Sequence, residues 1–277
     1  MRWLWFTLGI GALASPGFAQ APVVNAGGVV NDASYATAGV APGSIVGIFG
    51  TNLASKVAVG DTVPLSGGLD TVTSVTFNGT QAGLYFVGPL QINAQLPYES
   101  LASGADSATV NIVVTTKSGS SAAQSVNVLP AVPGIFTVNQ AGTGQAIATD
   151  SFDNAVIAPA GSIAGLTTHP FSLASVKNSH AIVLWCTGLG AVNPPIADGA
   201  NSYENGTLTV RNTVLTPTVK IGGVSATVLG SVLSPQFVGE YQIAVVPDPS
   251  TPTGDAVQVV VTLNRVASKT VTIAVAP

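Results

Sequence analysis

Two tandem β-sandwich domains, all-β throughout, are what this sequence predicts, and three observations carry the prediction. Apolar residues alternate with polar ones at a period of two, turn-forming residues punctuate these runs at short intervals, and the second half of the chain repeats the first. Short, evenly spaced strands in units of little over a hundred residues indicate sandwiches. No stretch beyond the first residues offers a capped helical period.

Residues 1–19 read as a secretory signal peptide: Arg2, an apolar run over 3–14, the breaker Pro16-Gly17, then small Gly17 and Ala19 flanking Phe18. Cleavage is expected after Ala19. The run is shorter than the roughly 20 residues that span a bilayer, and the sole cysteine, Cys186, is too distant to carry a lipid anchor. The expected protein is therefore secreted, periplasmic or cell-surface, with no stable membrane insertion after cleavage.

Composition narrows the function classes. Only 7% of residues are charged, with 8 Lys+Arg, so the clustered basic surface that binds phosphates is missing and nucleic acid is not an expected partner. A hydrophobic content of 47% with a net charge of only −4 argues against disorder. One cysteine makes no intramolecular disulfide, so stability must come from apolar burial.

The repeat shows in three places. Ile45-Val-Gly-Ile-Phe-Gly-Thr-Asn-Leu53 matches Ala181-Ile-Val-Leu-Trp-Cys-Thr-Gly-Leu189, and Val75-Thr-Phe-Asn-Gly-Thr-Gln-Ala82 matches Val219-Lys-Ile-Gly-Gly-Val-Ser-Ala226. Residues 108–130 match 256–277. The offset drifts only slightly between matches, as loop insertions would make it. The domains follow: 20–130 as the first sandwich and 131–277 as the second, with 159–179 read as a loop insertion.

Within each unit the alternation locates strands. Val257, Val259, Val261 and Leu263 point one way, as do Val271, Ile273 and Val275, Tyr241, Ile243 and Val245, and in the first unit Val110, Ile112 and Val114. Asn78-Gly79 and Gly222-Gly223 supply hairpin turns that need positive φ, and Lys117-Ser-Gly119 closes another. Pro97 and Pro247 end two matching strands, 91–96 and 241–246, because proline has no N–H for the ladder. Ile135-Phe136 and 145–148 are read as opening strands of the second unit. The two sandwiches are expected to be separable, with protease cutting near 129–133 or within 159–179.

Pro42-Gly-Ser-Ile-Val-Gly-Ile-Phe-Gly-Thr-Asn-Leu53 resembles the opening of an IPT/TIG-type immunoglobulin-like domain. Further segments, Gln91-Ile-Asn-Ala-Gln-Leu-Pro-Tyr98, Ala131-Val-Pro-Gly-Ile-Phe136, Thr187-Gly-Leu-Gly-Ala-Val192, Ala197-Asp-Gly199 and Gly239-Glu-Tyr-Gln242, resemble the uncharacterised C-terminal module family of Solibacter-type Acidobacteria. That resemblance spans nearly all of 23–277 and implies tandem IPT/TIG-like, immunoglobulin-like β-sandwiches in an extracellular setting. It transfers no biochemical activity. The chain departs from the family at 159–179 and in having Cys186 where a glycine is usual, which makes the insertion the natural place for a member-specific property.

Candidate chemistry is sparse. A hydrolytic triad needs a nucleophile beside an oriented histidine; the only histidines are His169 and His180, and Gly161-Ser-Ile-Ala-Gly165 has the wrong spacing for a nucleophile elbow. Two histidines and Cys186, far apart in sequence, make no zinc site by themselves. Glycosidases need facing carboxylates, but Glu99, Glu204, Glu240 and nine aspartates sit mostly among turn residues. Asp150-Ser-Phe-Asp-Asn154 lacks the alternating ligands and terminal Glu of a calcium loop and reads as a hairpin turn. Gly188-Leu-Gly190 lacks the third glycine and the βαβ setting of a nucleotide fingerprint. Trp185 is assigned to the core and Cys186 to a buried apolar position, with thiol-mediated dimerisation as its alternative. Tyr85 and Phe86 are weaker platform candidates, while Tyr98 and Tyr203 are the aromatic residues expected at exposed places.

No catalytic, cofactor-binding or metal-binding residue is assigned, no cofactor is expected, and the ligand-binding residues stay open. The function expected from these readings is an exported, non-catalytic structural or interaction module whose partner is an extracellular protein or polysaccharide. The alternative is a carbohydrate-binding module, and after it a secreted hydrolase.

Overall fold

In the computed structural model, which describes residues 20–204 and 206–277, the alternation seen in the sequence becomes two β-sandwiches, each closed around its own core. The signal-peptide reading lies outside the described residues. No helix among the described residues is long and apolar enough to cross a membrane.

In the first half, Val23–Asn31, Ile45–Thr51, Gln91–Gln95, Gly83–Val87 and Ala58–Val59 form one sheet in that order. The second layer runs Gln124–Val128, Ala108–Thr116, Val72–Phe77, Thr80–Gln81. Val46, Ile48 and Ile92 from one layer meet Val75, Phe77 and Ile112 from the other in a single buried cluster. Alternation is the cause: each second side chain leaves water, and burying an aliphatic one contributes about 1.5–3 kcal/mol.

The second half joins its two layers through one long strand, Val224–Leu233. Its start pairs with Thr218–Ile221 and most of its length with Tyr241–Val246, and a register shift between Val228 and Gly230 turns it from one layer into the other. Ile182–Thr187, Gly254–Leu263 and Val271–Ala276 complete the frame.

The repeat holds down to single hydrogen bonds. Ile48 faces Ile92 across the first ladder, and Leu184 faces Ile243 across the second. This register makes Ile92 the counterpart of Ile243, one residue away from the match that aligning Pro97 with Pro247 implies. Ser121 Oγ accepts from Val114 N at 3.1 Å, and Ser268 Oγ accepts from Val261 N at 3.1 Å.

Two expectations are corrected. Residues 159–179 are not a plain loop: Thr168–His169 pairs in parallel with Val156–Ile157, and Phe171–Ser172 pairs in parallel with Val275–Ala276. Phe171 is fully buried in the second core, and Leu173–Asn178 forms a short 3-10 helix. A lone apolar residue between His-Pro and Ser leaves no periodic trace, so only the neighbouring C-terminal strand reveals its role. The opening strands of this half are Gly134–Ile135, Gly144–Gln145 and Ala148–Asp150, slightly displaced from the expected runs.

The second correction concerns residues 129–133, expected to be a protease-sensitive link. Ala131 and Val132 are buried, Val132 N donates to Gly188 O at 2.8 Å, and Val132 O accepts from Asn31 Nδ2 at 2.9 Å. The halves are tied further by Ile45 N to Thr187 Oγ1 (2.9 Å), Tyr85 OH to Val238 O (2.6 Å) and Gly199 N to Gln95 Oε1 (2.6 Å). Gly188 is required here, with φ +82 and an added Cβ only 2.0 Å from Val132 O. A protease needs an accessible strand, and residues 131–133 are buried.

Candidate functional site

Asp150 ends the strand Ala148–Asp150, which pairs with Ile182–Thr187, so ladder hydrogen bonds set its position. The chain then reverses: Phe152 N donates to Asp150 Oδ1 and Asn154 N to Asp150 O, both at 2.9 Å, with Asn154 at φ +60. Asparagine tolerates that left-handed conformation better than most residues. Asp153 Oδ1 accepts from Ala155 N at 2.9 Å, leaving Oδ2 to face outward from the turn.

Parallel pairing of Thr168–His169 with Val156–Ile157 brings the histidine to this turn. His169 Nε2 lies 3.0 Å from Asp153 Oδ2, and its Nδ1 lies 3.0 Å from Pro170 O. A carbonyl only accepts, so Nδ1 carries the hydrogen. His180, past the 3-10 helix, places Nδ1 3.0 Å from Asp150 Oδ2, and its ring stacks on Phe152 at 4.6 Å. Phe152 is 73% exposed while Asp150 is 2% exposed. Ligand atoms of Asp150, Asp153 and His169 all lie within 4.8 Å of one another.

The electrostatics follow the contacts. The Ala155 N–H, and then the neighbouring imidazole, hold the Asp153 carboxyl below the usual carboxylate range. The Pro170 carbonyl, with Asp153 next to it, raises the His169 imidazole above its ordinary value against the opposing effect of partial burial.

The other sequence candidates separate into buried and exposed groups. Tyr98, expected at an accessible strand end, is packed into the junction instead: its N donates to Asp198 Oδ1 at 2.9 Å, and its OH meets Tyr241 OH at 3.5 Å. Trp185 is only half-buried, its Nε1 donating to Thr149 Oγ1 at 3.2 Å, because it stands on the outward side of a strand whose inward residues are Leu184 and Cys186. Cys186 is fully buried, and burial pushes its thiol well above the ordinary value. Tyr85 is held by Val238 O and Phe86 is half-buried, which leaves Tyr203, 43% exposed on the hairpin of Tyr203–Glu204 and Thr207–Leu208, as the accessible ring of the set. Gly188-Leu-Gly190 wraps the 129–133 segment rather than a nucleotide.

Three carboxyls are displaced upward. Burial lifts Glu240 to about 7, Asp32 to about 6 and Asp198 to about 6, the last helped by Glu99. Glu99 lies near enough to Asp198 for its charge to add to the upward displacement that burial begins. Nothing in the linear position of Glu99 points to Asp198, since the two residues come from opposite halves.

The histidine–aspartate cluster was equally out of reach. Asp150 and Asp153 precede the 159–179 excursion and His169 lies within it, and nothing in linear spacing shows that His169 returns beside Asp153. The available hint is that His169 lies within the one segment that breaks the repeat, with His180 just after it and the Asp150 to Asn154 turn just before it.

No protein-family model matches the chain, and no curated protein matches it. Solved structures it is similar to include the D00-D0 domain of intimin, at 12% identity and a TM-score of 0.23, covering 92% of this chain and 100% of that one. Domains 5-6 of the S-layer protein SbsC match at 14% identity and 0.23, covering 92% and 98%. The I9-I11 tandem of titin matches at 10% identity and 0.19, covering 85% and 61%. The chain is all-β, with two core-bearing β-sandwich units in tandem.

Proposed function

We propose that this chain is an exported, non-catalytic structural and interaction module that presents loops from a stiff pair of sandwiches. The observation that carries the reading is the junction: hydrogen bonds from Asn31, Ile45, Tyr85, Gly199 and Tyr98 cross between the halves and bury the segment connecting them. Independent domains on a free linker would not need such bonds, and a spacer that must hold a fixed orientation would. Export is supported by the signal-like residues 1–19, and membership of the Solibacter-type module family by the segments quoted above.

Absence of turnover is part of the proposal. The upward-shifted carboxyls resemble what a catalytic acid needs, yet each shift has burial as its first cause and each residue adjoins a structural bond. The reading is tested by expressing the full chain with its native leader, sequencing the N-terminus of the exported product, and screening it against extracellular polysaccharides for both binding and hydrolysis. Gln20 at or near the N-terminus and no hydrolysis is the expected result. Retention of Met1, or turnover abolished by Glu240→Gln in a folded variant, overturns it.

Carbohydrate binding is the second reading, favoured by one repeated feature. Phe49 pairs across strands with Gln91, and at the corresponding place Trp185 pairs with Gln242, all four half-buried on outward sheet faces. Glycan binding lost on Trp185→Ala or Tyr203→Ala, with the fold intact, would select this reading; Tyr98→Ala is unsuited to the test, because Tyr98 supports the junction.

A further inference from the structure

We propose that Asp150, Asp153 and His169 form a binding site for a divalent transition-metal ion of the zinc class. The donor set is two carboxylate oxygens and one imidazole nitrogen, drawn from two segments that the 159–179 excursion brings together. Imidazole suits zinc, nickel or cobalt and is a poor donor for calcium or magnesium, so the ion differs in class from the one a calcium loop would hold.

Hydrogen-bonding geometry singles out the site. Pro170 O takes the Nδ1 hydrogen of His169, so in the neutral ring the lone pair is on Nε2, directed at the Oδ2 of Asp153 only 3.0 Å away. In the protonated ring Nε2–H donates to Asp153 Oδ2 and closes an ion pair. A metal ion takes the place of that proton between the same two atoms, and a backbone carbonyl on the far nitrogen is the usual support of a metal-bound histidine. Bonds of about 2.0–2.1 Å place ligand atoms about 3.3 Å apart around a tetrahedral ion, close to the present 3.0 Å separation.

The remaining donors are held from behind. Asp150 Oδ1 is occupied by Phe152 N and Asp153 Oδ1 by Ala155 N, which leaves the Oδ2 atoms for the ion. His180 Nδ1 donates to Asp150 Oδ2, and that oxygen keeps a second lone pair. His180 is thus a positioning residue, clamped in turn by the Phe152 ring. Three protein ligands leave a fourth position for solvent.

The test is calorimetric titration of the full mature chain with zinc, beside cobalt titration followed by visible absorption. One ion per chain is expected, with binding weakened at least about 100-fold in both His169→Ala and Asp153→Asn, and about tenfold in His180→Ala. Circular dichroism establishes that each variant is folded, and Asp153, being exposed, tolerates asparagine without loss of structure. Three results overturn the proposal: no zinc binding by the wild-type chain, zinc binding that survives in both ligand variants, or calcium binding as tight as zinc. None of them bears on the interaction-module reading, which stands on the junction.

Discussion

Asn31 and Asp150 occupy the same place in the two halves and do opposite things. Asn31 pairs with Val46 and Asp150 with Ile182, which are counterparts in the repeat. Each begins the same reversal: Tyr35 N donates to Asn31 O at 2.8 Å and Asn154 N to Asp150 O at 2.9 Å, with φ +52 at Tyr35 and +60 at Asn154. Each Oδ1 accepts a backbone N–H two residues on, from Ala33 or Phe152. What differs is the other end of the side chain. The Asn31 amide donates to Val132 O and ties the halves together, whereas the Asp150 carboxylate accepts from His180 and faces His169 and Asp153. One turn therefore serves as a strut or as a site according to whether its last atom is a donor or an anion.

The strongest way to break the strut is Gly188→Ala. The added methyl would sit 2.0 Å from Val132 O and 2.7 Å from Asn31 Nδ2, at a backbone φ of +82. A loss of about 4 kcal/mol is expected from strain and broken hydrogen bonds together. Urea unfolding measures it; a loss below about 1 kcal/mol would show that the junction is not tight.

Exchanging the two residues sharpens the comparison. Asn31→Asp removes a donor from a fully buried site and sets a carboxylate against a carbonyl oxygen, costing about 3 kcal/mol. Asp150→Asn keeps the Oδ1 acceptor and should cost about 1 kcal/mol. Equal costs in the two directions would mean that surroundings, not the terminal atom, distinguish the turns.

Titration separates the same two regions. Asp32, Asp198 and Glu240 each adjoin a residue that bonds across or within the junction (Asn31, Gly199 and Gly239), and burial raises all three. A folded-state value of about 7 for Glu240 against 4.5 unfolded means the folded chain binds more protons in between. That stability is full below the unfolded value and is lost as pH rises through about 7. Melting temperature should therefore rise from pH 8 to pH 5, and Glu240→Gln should remove the upper part of the rise. A melting temperature that falls steadily over this range sinks the prediction. The smallest effect is expected for Phe152→Ala, about 0.5–1 kcal/mol or less, since that ring is mostly exposed and only stacks on His180.

Much of the fold was legible because alternation and turn chemistry are local. Val257 to Leu263 and Val110 to Val114 declare their inward faces by period, and the repeat of Ile45 to Leu53 at Ala181 to Leu189 declares two copies of one unit. The sequence by itself thus determined the strand content, the duplication and the scarcity of chemistry. Tertiary structure alone decided three things: that Phe171 enters the core beside Val275, that Val132 is clamped between Asn31 and Gly188, and that His169 comes back to Asp153. All three are contacts between segments with no shared periodicity, made by single residues. Local patterns record which face of a strand is buried, but the partner of a lone side chain is set by where the whole chain packs.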